Sequence, residues 1–436
     1  MDTALVTRLS GPEGSEIFEQ LSGSYERDKA LRAGTRLRAA GYSAELITAA
    51  LTQWELRTRA GAKFGADAGR MFFTRDGLEQ STRGLVADLH AQRLVDCGVR
   101  HVWDLGCGIG GDAMAFRRAG LDVTAVEADP LTAAVARANL ATVSSAADGA
   151  MGSGTVRTGF LEDTLYEMAN AAGQYHAVWL DPARRSPGVS DVSGRTRRIR
   201  SREEMSPPWD VVERAARTVP AAGVKVGASF NADSLPGDIE AQWVSVNGAT
   251  LECALWWGEA SRAAISRSAS VHREGLWSHL VTPSPEHLDH SPVMESVTRQ
   301  DLTAGCFVYE VDSAVLAAGM RDLVCADVGG LRLGMAAYVW STRQVTTPWA
   351  RCWQVSEVLP LSVKPLRAWA RRHDVGALTL KKPPSRSHSP IARLDPDALR
   401  TKIAPKGSTA ATLVLTEIDD RGATAALAVN PAVRAR

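Results

Sequence analysis

Three stretches of the chain carry residue types and spacings that could do chemistry. In the first, Val102-Trp103-Asp104-Leu105-Gly106-Cys107-Gly108-Ile109-Gly110-Gly111-Asp112, an apolar strand ends in an acid and turns through closely spaced glycines. Glycine lets the backbone turn tightly and lets a ligand approach where a Cβ would collide. The helix that follows opens with unpaired N–H groups, so the turn suits a nucleotide-like cofactor. The second stretch, Leu121 to Val126, ends at Glu127. An acid about 20 residues past such a turn can accept hydrogen bonds from ribose hydroxyls. The third is Trp179-Leu180-Asp181-Pro182-Ala183-Arg184-Arg185. Ligands of open α/β sheets lie off the carboxyl ends of strands, which turns Asp181 toward the same crevice as Asp104.

Two spacings fit the glycine turn. Gly106-x-Gly108-x-x-Gly111 matches the dinucleotide fingerprint. Asp104-x-Gly106-x-Gly108-x-Gly110 fits equally well and adds a carboxylate, which would repel a pyrophosphate. A cofactor with an amino group and no phosphate would welcome that acid, and S-adenosylmethionine (SAM) is one. Here the sequence resembles the class I SAM-dependent methyltransferases, whose first motif reads like Val102 to Gly110. The resemblance places an acid near the adenine amine in Gly159-Phe160-Leu161-Glu162-Asp163, taken as Asp163. The cofactor-binding set is then Asp104, Gly106, Gly108, Gly110, Glu127 and Asp163. At the Asp181 strand end, methyltransferases of exocyclic amines and ring nitrogens place Asn/Asp-Pro-Pro-aromatic. Asp181-Pro182 fits, whereas Ala183 and Arg184 depart from that pattern. Arginine can stack on a base or grip a phosphate, so the catalytic set is Asp181, Pro182 and Arg184. Ser206-Pro207-Pro208-Trp209 looks similar, but a serine N-cap followed by proline at the first helical position explains it.

The elements that must hold these residues follow from periodicity. Residues 1–85 read as a helical domain, with apolar positions at helical spacing in 30–34 and 44–51. It would cap the cofactor site, with Phe72, Phe73 and Thr74 near the cofactor's amino-acid end. Residues 86–262 read as the methyltransferase domain. Strands near 101–105, 122–127, 154–158, 176–181 and 224–228 alternate with helices, the mark of a mostly parallel sheet covered on both faces. Glu240–Val246 and Leu251–Trp257 are joined by a turn short enough to force an antiparallel pair. The expected fold is α/β and Rossmann-like, a seven-stranded sheet with one antiparallel strand, which a nicotinamide-binding Rossmann domain lacks. Residues 263–350 read as a connecting region, irregular after Leu323, and 351–436 as a small α+β module.

A chain of 436 residues, 45% hydrophobic and 23% charged, has ample core for two to four domains. Its six cysteines form no C-x-x-C, which argues against a zinc site or a disulfide framework and fits a reducing cytoplasm. His287-x-x-His290 with Asp289 sits among prolines and reads as a solvated turn, so no metal is expected. No apolar run approaches the ~18 residues of a membrane span. Net charge is +1, yet basic residues cluster. Seven arginines (184, 185, 195, 197, 198, 200 and 202) accompany one acid, Asp191. Between Lys364 and Lys406, eleven basic residues accompany three acids. Two such stretches beside a methyl-transfer core form a polyanion footprint.

Leu78-Glu79-Gln80-Ser81-Thr82, Asp181-Pro182-Ala183-Arg184-Arg185 and Leu378-Thr379-Leu380-Lys381-Lys382 together resemble a bacterial family with a class I methyltransferase core and a C-terminal THUMP-like domain. In that family a ferredoxin-like segment precedes the THUMP-like module, here residues 293–350. The family follows its paired lysines with Arg-Gly, whereas Lys382 precedes Pro383-Pro384. Related THUMP domains bind the acceptor end of tRNA. The resemblance therefore implies methylation of structured RNA, most simply a tRNA base nitrogen. Arg185, Arg195, Arg197, Arg198, Arg200, Lys381 and Lys382 would contact the RNA. The rival readings are a nicotinamide-linked oxidoreductase, a small-molecule or protein methyltransferase, and a non-catalytic SAM-binding, RNA-binding protein.

Overall fold

Helices at the start of the chain begin where a polar side chain offers an oxygen to the free N–H groups of a first turn. Asp2 accepts from the Leu5 N–H ahead of α1 (Thr3–Ser10). After α2 (Pro12–Glu19) and α3 (Arg27–Ala39), Ser43 caps α4 (Ala44–Phe64) and Thr74 caps α5 (Arg75–Gln80). α6 (Gly84–Asp96) leads into the first strand. The computed structural model describes residues 1–432 except 22, 144–150, 172, 174, 183–184, 191–195, 199–206, 234, 263, 283–294, 335–336, 383–390, 392 and 419–422, with backbone alone for 185–190 and 196–198.

Strand and helix then alternate. β1 (His101–Leu105), α7 (Gly111–Arg118), β2 (Asp122–Glu127), α8 (Pro130–Thr142), β3 (Gly154–Thr158), α9 (Leu161–Ala171) and β4 (His176–Leu180) come in turn. A short antiparallel ribbon of β5 (Arg185–Ser190) and β6 (Thr196–Arg198) follows, then α10 (Trp209–Ala216) and β7 (Ala221–Gly227). Parallel pairing gives the order β3-β2-β1-β4-β7. β8 (Glu240–Val246) and β9 (Ala249–Gly258) are joined by Asn247-Gly248, with φ of 52° and 88°. Two positive φ values in a two-residue loop match the twist of an antiparallel hairpin. The seven expected strands are joined by two more, β10 (Arg267–Arg273) and β11 (Leu276–Val281), making nine in the order β11-β10-β8-β9-β7-β4-β1-β2-β3.

The chain divides into two units, Met1–Glu240 with Cys253–Ala263, and Ala241–Glu252 with Ala264–Arg436. In the first, the core includes Trp179 of β4, whose ring lies 6.1 Å from Phe116 and 5.5 Å from Trp256. In the second, β12 (Phe307–Val311), β13 (Leu331–Leu333) and β14 (Tyr338–Ser341) precede β15 (Ala350–Pro360), β16 (Val375–Lys381), β17 (Thr409–Glu417) and β18 (Thr424–Pro431). They form one sheet of seven strands in the order β13-β14-β12-β15-β18-β17-β16. Residues 293–350 therefore add strands to the same sheet as the C-terminal module, and part of the stretch read as irregular is β13 and β14. Those strands hold three and four residues, too few for period-two alternation to register. Val414 joins one apolar cluster while Leu413 and Leu415 join another, as alternation along a strand buried on both faces requires.

Candidate active site

A cavity of about 770 Å³ opens at the carboxyl ends of β1, β2 and β4. Gly106, Gly108 and Gly110 have φ of 76°, 55° and 84°, whereas Gly111 begins α7 without a positive φ. The backbone thus needs glycine at alternate positions, as in the Asp104-x-Gly106-x-Gly108-x-Gly110 spacing. A Cβ at Gly106 would lie 3.0 Å from the Asp181 carbonyl oxygen. Asp181 in turn donates its N–H to the Leu105 carbonyl at 3.2 Å, so the glycine turn and the Asp181 strand end are built against one another. Glu127 accepts from the Gly108 N–H at 3.0 Å and the Asp129 N–H at 2.9 Å, which pins the turn from below. Asn139 of α8, absent from the expected set, donates to the Ile109 carbonyl at 2.8 Å and the Phe72 carbonyl at 2.9 Å.

Charge around the cavity has one sign. The described residues lining it include Asp76, Asp112, Glu127, Asp129, Glu162 and Asp181, and no Lys, Arg or His. Asp104 does not line it. It is wholly buried behind Leu105, and among the described residues neither of its carboxylate oxygens has a hydrogen-bond partner. Burial, with Asp112 and Asp181 alongside, pushes the Asp104 carboxyl well above the carboxylate range. Asp112 behaves oppositely. Burial alone would raise it, but Lys225 beside it and hydrogen bonds from His90 and Thr82 hold it below the usual range. Lys225 of β7 is buried and forms ion pairs with Asp181 and with Asp112. Nothing in the sequence pattern singled it out.

The structure brings Asp181, Pro182, Gly106, Gly108 and Glu127 to one cavity. Gly110 is the N-cap of α7 and not part of the lining. Asp163 is exposed in the first turn of α9, while its neighbour Glu162 and Phe160 reach the cavity. Thr74 lines the cavity, but Phe72 and Phe73 are core residues. Pro207 and Pro208 also line it. α10 starts at Trp209 with Pro208 at the N-cap, so the expected Ser206 cap is displaced. Arg184, Arg195, Arg200 and Ser206 lie outside the described residues, as do His287, Asp289 and His290. Arg185, Arg197 and Arg198 lie on β5 and β6, with Arg185 opposite Arg198.

In the second unit, Lys381 pairs with Glu310 at 2.8 Å and stands 5.1 Å over the Trp353 ring, and Lys382 donates to the Leu394 carbonyl at 2.9 Å. A separate cleft of about 340 Å³ is lined by Arg367, Arg371, Lys406 and Asp374 among others. Among the described residues no group of His, Cys, Asp and Glu is arranged to hold a metal, and no described helix is long and apolar enough to cross a membrane. All six cysteines are free thiols.

Residues 350–431 match the THUMP domain-like family, and residues 2–60 match a domain of unknown function. Across 373 residues the chain is 26% identical to an uncharacterized SAM-dependent methyltransferase of Mycobacterium tuberculosis, found in two strains, covering 83% of this chain and 90% of the relative. A solved structure from Porphyromonas gingivalis, named as a methyltransferase, superposes with a TM-score of 0.72 at 18% identity, covering 94% of this chain and 100% of the other. The chain thus unites the fold of the class I methyltransferases with a C-terminal domain of the THUMP-like family.

Proposed function

We propose that the protein is a SAM-dependent methyltransferase acting on structured RNA, with a tRNA base nitrogen as the methyl acceptor. The observation that carries the cofactor half is the sign of the cavity. Six acids and no base among the described lining residues suit a cationic, phosphate-free cofactor and disfavour a dinucleotide pyrophosphate. The glycine cradle over Glu127 fits the same group. Gly106, Gly108 and Glu127 would hold it, with Glu127 at the ribose hydroxyls and Phe160 and Glu162 at the adenine end in place of Asp163.

When bound, SAM supplies an electrophilic methyl on a sulfur that departs neutral. The remaining work is alignment and handling one proton. Asp181 would accept a hydrogen bond from the N–H of the acceptor nitrogen and take up the proton that this nitrogen releases on methylation. Pro182, Pro207 and Pro208 wall the acceptor side. The RNA reading rests on the THUMP-like match and on cations in that unit. Lys381 is neutralised by Glu310, so the Arg367, Arg371 and Lys406 cleft is the better phosphate contact there. The arginines of 184–200 are proposed to steer RNA near the cavity.

Calorimetry with SAM, S-adenosylhomocysteine (SAH) and NADH tests the cofactor; tight NADH binding with no SAM or SAH uptake overturns it. Nucleoside mass spectrometry of total RNA from a strain lacking the protein tests the substrate. Loss of one methylated nucleoside is expected, and an unchanged profile removes RNA as the substrate.

A further inference from the structure

Lys225 occupies a position where a central strand ordinarily carries an aliphatic side chain. It lies between Val224 and Val226 in β7 and is 1% exposed. Its Nζ forms an ion pair with Asp181 Oδ2, donates to Thr82 Oγ1 at 2.7 Å and stands 3.8 Å from Asp112 Oδ2. The Thr82 hydroxyl donates onward to Asp112 Oδ2 at 2.7 Å, and Asp112 Oδ1 is 2.9 Å from His90 Nδ1. Burying an ammonium costs several kcal/mol unless close partners offset it, and a methionine would fill similar space without that cost. The partners here are arranged asymmetrically. Asp112 is 6% exposed and tied by Thr82 and His90, whereas the Asp181 side chain keeps 23% of its surface open. The ammonium therefore joins a mostly buried acid, tied in place on its own side, to one that is more open to the same cavity.

We propose that Lys225 is a positioning residue: its ammonium keeps the Asp181 carboxylate ionised and fixed in direction, so that Asp181 meets the methyl-accepting group as a hydrogen-bond acceptor. This rests on the reading of the cavity as a methyl-transfer site. Lys225 on β7 pairs with Asp181, and Asp112 on α7 with His90 on α6 stand beyond the ammonium. Asp181, Asp112 and Glu127 on β2 all stand within electrostatic reach of Asp104 on β1. Asp112 adds a second negative charge to the ammonium, and Thr82, accepting from Lys225 and donating to Asp112, sets the direction of the Lys225 Nζ.

The test follows the Asp181 carboxyl by carbon NMR of protein labelled at its aspartate carboxyls, the signal being assigned by its loss in Asp181→Asn. The pH dependence of kcat/KM is measured alongside. In Lys225→Met the Asp181 midpoint is expected to rise by about one to two units, with the acid limb of kcat/KM moving the same way. SAH affinity is expected to stay within about threefold, because Lys225 does not line the cavity. Lys225→Arg, which keeps the cation, is expected to return the midpoint toward that of the parent protein. A midpoint unmoved in Lys225→Met overturns the proposal, however far turnover falls. If Lys225→Met does not fold, Thr82→Val replaces it: a smaller rise of the same sign is expected, and no rise overturns the proposal. The carboxyl titration needs no cofactor. If the parent protein binds neither SAM nor SAH, the methyl-transfer reading fails while the Lys225–Asp181 coupling is still measured.

Discussion

The two units carry cavities of opposite sign. In the first, about 770 Å³ is ringed by six acids with no base among the described lining residues, and its compensating cation, Lys225, is buried behind the wall. In the second, about 340 Å³ is lined by Arg367, Arg371 and Lys406 against the single acid Asp374. Asp374 is already engaged, accepting from the Ser408 N–H at 3.1 Å and its hydroxyl at 2.5 Å. Buried charges act through fixed partners and are little screened, whereas exposed ones act over a Debye length and fade with salt. A site that must hold a cation and a site that must attract a polyanion interfere if they share one surface. On the proposed function, the cation is held in the first unit, and the basic cleft of the second adds a phosphate contact away from that cavity.

The largest effect should come from the acidic side. Asp181→Ala is expected to lower kcat by about 10²–10⁴-fold with SAH affinity nearly unchanged, read by methyl transfer and calorimetry. Equal losses in both would merge chemistry with binding and dissolve the distinction drawn here. On the basic side, Arg371→Ala combined with Lys406→Ala should weaken tRNA binding about tenfold and reduce the salt slope by about two, because each cation lost removes one phosphate contact. SAM affinity should not follow, and if it does the two cavities are not independent.

Asp104→Asn is expected to change how stability depends on pH. The folded pKa of Asp104 is raised, so its contribution to stability is greatest below the unfolded value of about 3.9 and is lost as pH rises toward the folded one. Asp112, with a lowered folded pKa, contributes above that unfolded value and loses its contribution only in acid. Above about pH 4 Asp104 therefore contributes a downward slope of stability and Asp112 none. The asparagine should remove that contribution and raise the melting temperature at pH 8 by about 2–4 °C. A steeper slope would refute the assignment. The smallest change is expected from Lys381→Ala. Its ammonium already serves Glu310, so the salt slope of tRNA binding should fall by well under one unit. A full unit would return Lys381 to the RNA-binding surface.

Much of the fold was legible because it is written in local patterns. The alternating strands, the Asn247-Gly248 hairpin and the α+β character of residues 351–436 follow from periodicity and turn chemistry over short windows. The glycine turn, Glu127 and Asp181 were legible for the same reason: each stands at a strand end. Lys225 was not. In Val224-Lys225-Val226 the lysine reads as the solvent side of an alternating strand, and its partner Thr82 is 143 residues away. The clamp by Asn139, 67 residues from Phe72, is equally non-local. Asp163 and Glu162 are one position apart, and on a helix one residue turns a side chain about 100°, which sets Glu162 on the cavity lining and Asp163 off it. The basic cleft is not written in any short window, because Arg371 and Lys406 come from a helix end and a loop that meet only in the folded chain.

The 3.0 Å that separates a would-be Cβ at Gly106 from the Asp181 carbonyl has a consequence for how such an enzyme can change. The two main chains are one mechanical part, so a change that shifts the glycine turn also shifts the Asp181 backbone, whereas trimming the Asp181 side chain leaves the turn standing. Turnover can be altered at the acid alone, but affinity cannot be altered at the cradle without reaching the acid.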